Sequence, residues 1–539
     1  MSANPKQVHF HKPESKAKAA NDQSETTTLL EQRASKELVI GFMGAVGCGL
    51  PRVITECETQ LQALGYKVIR IKLSAFINTQ LDKGAVVIPP EHAEAAKSKY
   101  VRNQIGGNLL RNKVRHNVLA GYAINQIGRH RLAGDPESNE HATQLKRVAY
   151  LIDQIKHPEE VRLLRLVYRR LFYAVGVMST HEHRICRLKD EGLSAEQTTE
   201  IIKRDRKESI THGQQLEKAF KLADYFVHHP LGRETIIPNQ IARFLNLIHG
   251  SNSITPSRHE HAMYLAHSTS LRSACFSRQV GASILDKQGR VIAVGTNDVP
   301  QYGGGLYGDE SSPNDDRCFK HRGICENDLQ KRIRKQRIHD GVTNSLDKLF
   351  PKDEHRAAVA DKVDELVDLV FEESGIPHLI EFSRAVHAEM DALISLSRGG
   401  GGSSVGGSLY TTTFPCHNCA RHIIAAGIEK VYYIEPYEKS LAPDAHSDAI
   451  EVLDHDADDN QSSQKVKFIH FSGVAPKLYP DLFIREAGRK DADGKFIQFS
   501  PAGETPPDKI VKEYLDSYRS FEEKIAAIFD EEFDPAQQN

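Results

Sequence analysis

The chain has 539 residues, 39% hydrophobic and 26% charged, with a formal net charge of -2. That length exceeds one hydrophobic core and predicts two or three domains. The charge balance excludes a protein that grips nucleic acid through bulk positive charge, though not a local basic patch, and no apolar run reaches membrane-spanning length, so no membrane association is expected.

The opening stretch, "MSANPKQVHFHKPESKAKAANDQSETT", is polar and lacks the apolar core of a signal peptide, which makes the cytoplasm the expected compartment. Residues 1–36 read as a disordered lead. The eight cysteines are Cys48, Cys57, Cys186, Cys275, Cys318, Cys325, Cys416 and Cys419. Without a secretory signal they read as reduced thiols or metal ligands rather than disulfides.

"ELVIGFMG" predicts a short buried strand. "PRVITECETQLQALGY" predicts a helix and "KVIRIKLS" a second strand. Strand, glycine loop, helix and strand form a crossover unit, the connection that parallel strands require. "VAYLID" adds another strand, and "HPEEVRLLRLVYRRLFYAVGV" a helix followed by a strand. The first half is therefore expected to be α/β and doubly wound. Its loop, "GAVGCGLPR", approaches the phosphate-binding pattern G-x-x-x-x-G-K-[ST] but carries Leu50 in place of lysine and Pro51 in place of serine or threonine. The amides around Gly44, Gly47 and Gly49 retain the means to meet a phosphate at a helix N-terminus. Kinase catalysis is not expected, because neither Leu50 nor Pro51 can reach a phosphate or hold Mg²⁺. Asp153 reads equally well as a Mg²⁺-linked acid and as a solvated strand end.

"GAVGCG", "YLIDQIKHPEEVRLLRLVY" and "GQQLEKAFKLADYFV" together resemble the P-loop nucleotide and nucleoside kinases over residues 37–250. The resemblance implies a degenerate kinase-like domain that binds a regulatory nucleotide or acts as a scaffold for assembly and sensing.

"HGSNSITPSR" marks the expected domain boundary near residue 250. Beyond it come a helix, "HAMYLAHSTSLRSAC", and a hairpin of "QVGASILD" and "RVIAVGTN" joined by "KQG". A polar insertion runs from about Pro300 to Pro377. Then follow "AVHAEMDAL" and, after the strand "SLYTTT", "FPCHNCARHIIAAGI". These supply His387, Glu389, Cys416 and Cys419. An imidazole and two thiolates make a three-ligand zinc site that leaves one position for water. Pro415 favours a helix start, so the two sulfurs share its first turn, where unpaired amides favour thiolates. Glu389 stands two residues from His387, placed to move protons without binding the metal. A structural zinc or a redox pair is the alternative that C-x-x-C alone would suggest.

The full pattern H-x-E…P-C-x-x-C resembles the zinc-dependent nucleobase deaminases. "AHSTSLRSACFSRQVGASILDKQGRVIAVGTNDVP" and "GIEKVYYIEPYEKS" are similar to deoxycytidylate deaminases over residues 259–475, the insertion apart. Together with the kinase-like half, the chain resembles bacterial antiphage dCTP deaminases. The resemblance implies a three-layer α/β/α domain with a mixed sheet at 251–480, followed by a helical extension at 481–539. It implies hydrolytic deamination of free deoxycytidine nucleotides, dCTP and dCMP, which depletes the pool a phage needs. It also implies Zn²⁺ on His387, Cys416 and Cys419, Glu389 as proton shuttle, and Asn297 against the sugar. Arg272 and Arg278 are the expected phosphate cations, each equally readable as a surface charge. Cys275, Cys318, Cys325, His321 and His378 raise a second, structural zinc, against the alternative of scattered thiols and surface histidines. The basic runs 162–170 and 329–339 read as solvated helix faces or as the docking place of an inhibitory small RNA, and a homo-oligomer is expected. Two rival readings stand beside this one: a deaminase of bases in RNA or single-stranded DNA, and a nucleotide- or RNA-sensing scaffold.

Overall fold

The computed structural model describes residues 35–133, 147–206, 213–349, 362–436, 440–453, 463–484, 489–498 and 513–533. Residues 1–34 of the expected lead lie outside that set.

The first sheet grows from the run "LVIGFMG". β1 (Leu38–Gly44) is buried along its whole length, as a strand covered on both faces must be. The chain passes through α1 (Leu50–Ala63) into β2 (Lys67–Lys72), then through α2 (Val118–Ala133) into β3 (Val148–Ile155). α3 (Pro158–Tyr168) leads to β4 (Phe172–Met178), and β5 (Tyr225–His228) precedes α4 (Ile237–Ile248). The strand order is β5-β4-β1-β3-β2, all parallel. Alternation divides the side chains between two cores. Leu38, Ile40 and Phe42 pack with Val53 and Leu61 of α1 and Phe244 of α4. Val39 and Met43 turn to the other face, with Ile124 of α2 and Leu164 of α3.

The second unit begins at α5 (Arg258–Ser270), whose first turn is closed by reciprocal bonds between Ser257 and Glu260. β6 (Gly281–Leu285) and β7 (Val291–Thr296) form the expected antiparallel hairpin. The insertion folds as two helices in contact, α6 (Glu326–Leu349) and α7 (Val363–Glu373). α8 (Ala388–Gly399), β8 (Ser408–Thr413), α9 (His417–Ala425), β9 (Lys430–Glu435), β10 (Ile450–Leu453) and β11 (Val466–His470) complete the unit. Its sheet runs β7-β6-β8-β9-β11-β10, antiparallel at the hairpin end and parallel beyond β8. One face packs against α8 and α9 through Ala282, Leu409, Ala392 and Ile423. The other carries α5, and its Tyr410, Tyr432 and Ile469 belong to the same continuous core as the α3 side of the first sheet.

The two sheets are also laced together by the chain. β12 (Gly473–Val474) pairs antiparallel with β5, so the last strand of the first sheet comes from within the range 251–480. The helix α10 (Leu515–Phe533) packs on α2 and α3 of the first unit, and Tyr168 donates to Glu522 at 2.8 Å. Among the described residues no helix is long and apolar enough to cross a membrane.

Candidate active site and metal centre

His387 and Cys416 occupy matching places. Each is the last extended residue before a helix, His387 before α8 and Cys416 before α9. Both helix N-termini therefore face the same point, with their unpaired amides and partial positive charge. The approach of α8 depends on Gly295 in β7. A Cβ there would lie 2.3 Å from the carbonyl of Ala388 and 2.4 Å from the amide of Ala392. The Val386 amide bonds the Asp298 carbonyl at 2.9 Å, and the Thr296 amide bonds Asp391 at 3.0 Å, which pins the chain on both sides of His387.

The ligating atoms of His387, Cys416 and Cys419 lie within 4.8 Å of one another, and among the described residues they form the one such group. His387 Nδ1 is 3.4 Å from Cys416 Sγ and 3.3 Å from Cys419 Sγ. Cys419 Sγ is 3.5 Å from Glu389 Oε2. Hydrogen bonds from Cys419 and His387 pull the Cys416 thiol down to about 4. The hydrogen bond to Cys416 raises the imidazole of His387. Burial pushes the Glu389 carboxyl up, since only 4% of the residue is exposed. An imidazole and two cysteine sulfurs gathered this closely are a donor set that fits zinc, beside a carboxyl that is not in the ligand group.

His387, Glu389 and Cys416 line a cavity of about 290 Å³ that also holds Arg278 and Asn297. Asn297 is engaged with the backbone: its Oδ1 accepts from the Val280 amide at 2.7 Å and its Nδ2 donates to the Arg278 carbonyl at 2.9 Å. One N–H and one lone pair of the amide remain. Arg272 is not among the lining residues and instead lies near Asp391. The wall includes three residues of α6 that sequence reasoning missed, Asn327, Asp328 and Lys331. They lie in a polar insertion whose helical pattern gives no sign of which face meets the site.

Cys275, Cys318 and Cys325 line one small pocket behind this wall, but their sulfurs do not meet the spacing of the His387 cluster. His321 is paired with Asp316 at 3.0 Å, and the side chain of His378 lies outside the described residues. The basic runs are partly neutralised from within. Arg165 bonds Asp224 at 2.7 Å, Lys335 pairs with Asp368, and Arg334 stacks on Phe382 at 3.7 Å.

The glycine loop of the first unit faces an anion of its own chain. Asp205, fully buried, accepts from the Val46 amide at 2.6 Å and from Lys156 Nζ at 2.6 Å. Lys156 also donates to the Gly44 carbonyl at 2.7 Å. Arg184 and Arg187 hold the Val46 and Gly47 carbonyls. Gly49 has φ 77°, and a Cβ there would lie 1.9 Å from His229 Nδ1. Of the loop's amides, that of Val46 is thus taken by a carboxylate of the same chain. Asp153 forms an ion pair with Arg70 at 2.7 Å.

The sequence profile described as the cytidine and deoxycytidylate deaminase zinc-binding region matches residues 256–435. The deoxycytidylate deaminase of enterobacteria phage T2 is 28% identical over 179 residues, 33% of this chain and 80% of the phage protein. The ComE operon protein 2 of Bacillus subtilis (strain 168) is 35% identical over 102 residues, 18% of this chain and 52% of that protein. The solved dCMP deaminase of cyanophage S-TIM5, in complex with dCMP and dUMP, is 19% identical, covering 40% of this chain and 99% of that one with a TM-score of 0.22. Residues 256–435 therefore carry the zinc-binding region of the cytidine and deoxycytidylate deaminases, and the His387, Cys416 and Cys419 cluster within it fits the metal.

Proposed function

We propose that this chain deaminates the cytosine of free deoxycytidine nucleotides, dCMP and dCTP, and that loss of the dC pool is its role in defence against phage. The observation that carries the chemistry is the buried Glu389 carboxyl, 3.5 Å from Cys419 within a His/Cys/Cys cluster at the base of a cavity. Zinc held by His387, Cys416 and Cys419 would supply Lewis-acid activation of water. Glu389 accepts the proton that the water gives up as oxygen bonds to C4. It delivers that proton to N3, then takes the proton of the new C4 hydroxyl and passes it to the departing amine. The C4–N bond breaks, ammonia leaves and uracil remains. Burial suits Glu389 to this traffic, because a carboxyl raised above its ordinary value holds a proton more readily and can still return it.

A nucleotide substrate is supported by the phage relative, a deoxycytidylate deaminase, and by Arg278 in the cavity wall. The choice of dCTP and the defensive role rest on the resemblance of the two halves taken together. The first unit transfers no phosphoryl group in this reading, since Leu50 replaces the lysine, Pro51 replaces the hydroxyl residue and Asp205 occupies the Val46 amide. Incubating the purified chain with a mixture of deoxynucleotides and single-stranded oligonucleotide tests the proposal. Conversion of dC to dU confined to free nucleotides is the expected result. Conversion within the oligonucleotide alone, or none with zinc bound, overturns it.

A further inference from the structure

The deaminase reading leaves the far wall of the cavity without a role, and that wall is made by the insertion. We infer that helix α6 supplies the sugar–phosphate end of the substrate pocket. Lys331 and Arg278 grip the 5′-phosphate, and Asn327 accepts from the 3′-hydroxyl. The inference rests on the proposal that the substrate is a deoxycytidine nucleotide.

Asn327 and Lys331 are four residues apart, so they share a helix face, and both line the cavity with His387 and Glu389. Asn327 Oδ1 is buried without a hydrogen-bond partner. A buried acceptor left unpaired is a penalty that a bound donor removes. A deoxycytidine nucleotide offers two donors, the N4 amine and the 3′-hydroxyl. The amine departs at the Glu389 end, which leaves the hydroxyl for Asn327.

Lys331 Nζ donates to the Pro377 carbonyl at 2.8 Å, which ties α6 to the far end of the insertion and leaves two N–H groups for a ligand. Arg278 is loosely held: its Nη1 lies 3.8 Å from Glu435 and its side chain is 47% exposed. Two cations on one cavity suit a phosphate dianion, with the guanidinium supplying a fork and the ammonium a point charge. Asp328, the anion that α6 adds to the wall, is exposed to solvent.

The test uses the zinc-loaded full chain with Lys331→Gln, Lys331→Arg and Asn327→Leu. Steady-state turnover of dCMP is measured alongside competition by dUMP and by deoxyuridine. Lys331→Gln is expected to raise KM for dCMP and the inhibition constant of dUMP by about tenfold, with kcat nearly held and deoxyuridine competition unchanged. Lys331→Arg should retain most of the dUMP affinity. Asn327→Leu should weaken dCMP while leaving 2′,3′-dideoxycytidine monophosphate as it was. Equal losses for dUMP and deoxyuridine in Lys331→Gln would make the lysine a structural tie and overturn the inference, as would no change at all. An Asn327→Leu effect shared by the dideoxy substrate overturns the hydroxyl assignment. A wild-type chain that converts no cytosine nucleotide refutes the deaminase reading itself, a result distinguishable from all of these.

Discussion

Replacing Glu389 by glutamine tests the chemistry most directly. The amide keeps an oxygen where Oε2 meets Cys419 at 3.5 Å, so the His/Cys/Cys cluster loses no neighbour. What disappears is the proton carrier. The other carboxylate in the cavity wall is Asp328, exposed on the helix of the opposite wall, so no second acid stands ready to replace it. A positioned general acid–base contributes about 10²–10⁴ in rate. The same carboxyl serves both the water and the leaving amine, which places the expected loss toward the upper end, about 4–5 kcal/mol of barrier. The assay is chromatographic conversion of dCMP to dUMP, with zinc measured on the same samples. Turnover within tenfold of wild type, at unchanged zinc content, would refute the assignment of Glu389.

Cys416→Ala and Cys419→Ala should each release the metal and abolish deamination; full zinc occupancy by elemental analysis in both would contradict the ligand set. Asp205→Ala leaves Lys156 buried beside a single carbonyl, and breaking such a pair typically costs about 3–5 kcal/mol. The melting temperature of the chain should drop by several degrees, and an unchanged melt would show that the carboxylate does not hold the loop. Burial brings the imidazole of His470 down to about 4 from an ordinary 6.5. Between those values the unfolded chain takes up a proton that the folded chain refuses, so stability falls as pH falls from 6.5 to 4, by about 3 kcal/mol in all. His470→Gln should remove that component of the pH–stability profile measured by denaturant titration. A profile identical to wild type would falsify the assignment.

The His/Cys/Cys cluster was legible because its residues fall in two short stretches, each opening a helix. His387 and Glu389 share one turn, Cys416 and Cys419 another, and local spacing carries most of the geometry. β1, β3 and β4 were equally plain, since strands buried on both faces read as unbroken apolar runs. What lay hidden depends on long-range packing. Asp205 reaches the glycine loop from 159 residues away, and nothing in the run around it marks it as the loop's anion. Asn327 and Lys331 face the cavity only because α6 folds back over it. Asn297 was read as lying against the sugar; it lines the cavity, and the backbone engages one N–H and one lone pair of its amide.

The two-residue strand β12 decides how the chain can be divided. The Glu260 carboxylate accepts from the Ser257 amide at 2.7 Å, Arg243 at 2.5 Å and the Val474 amide at 3.0 Å. One buried side chain therefore joins the helix that opens the deaminase unit, the last long helix of the first unit and the returning strand. Severing the backbone near residue 250 would bare the edge of β5 and leave this carboxylate without its arginine. No single cut yields two finished bodies. A transplant of the deaminase half into another protein must bring a new partner for Val474, and a transplant of the first half must carry both 473–474 and the helix 515–533. The smallest piece that can be moved or inherited intact is nearly the whole chain.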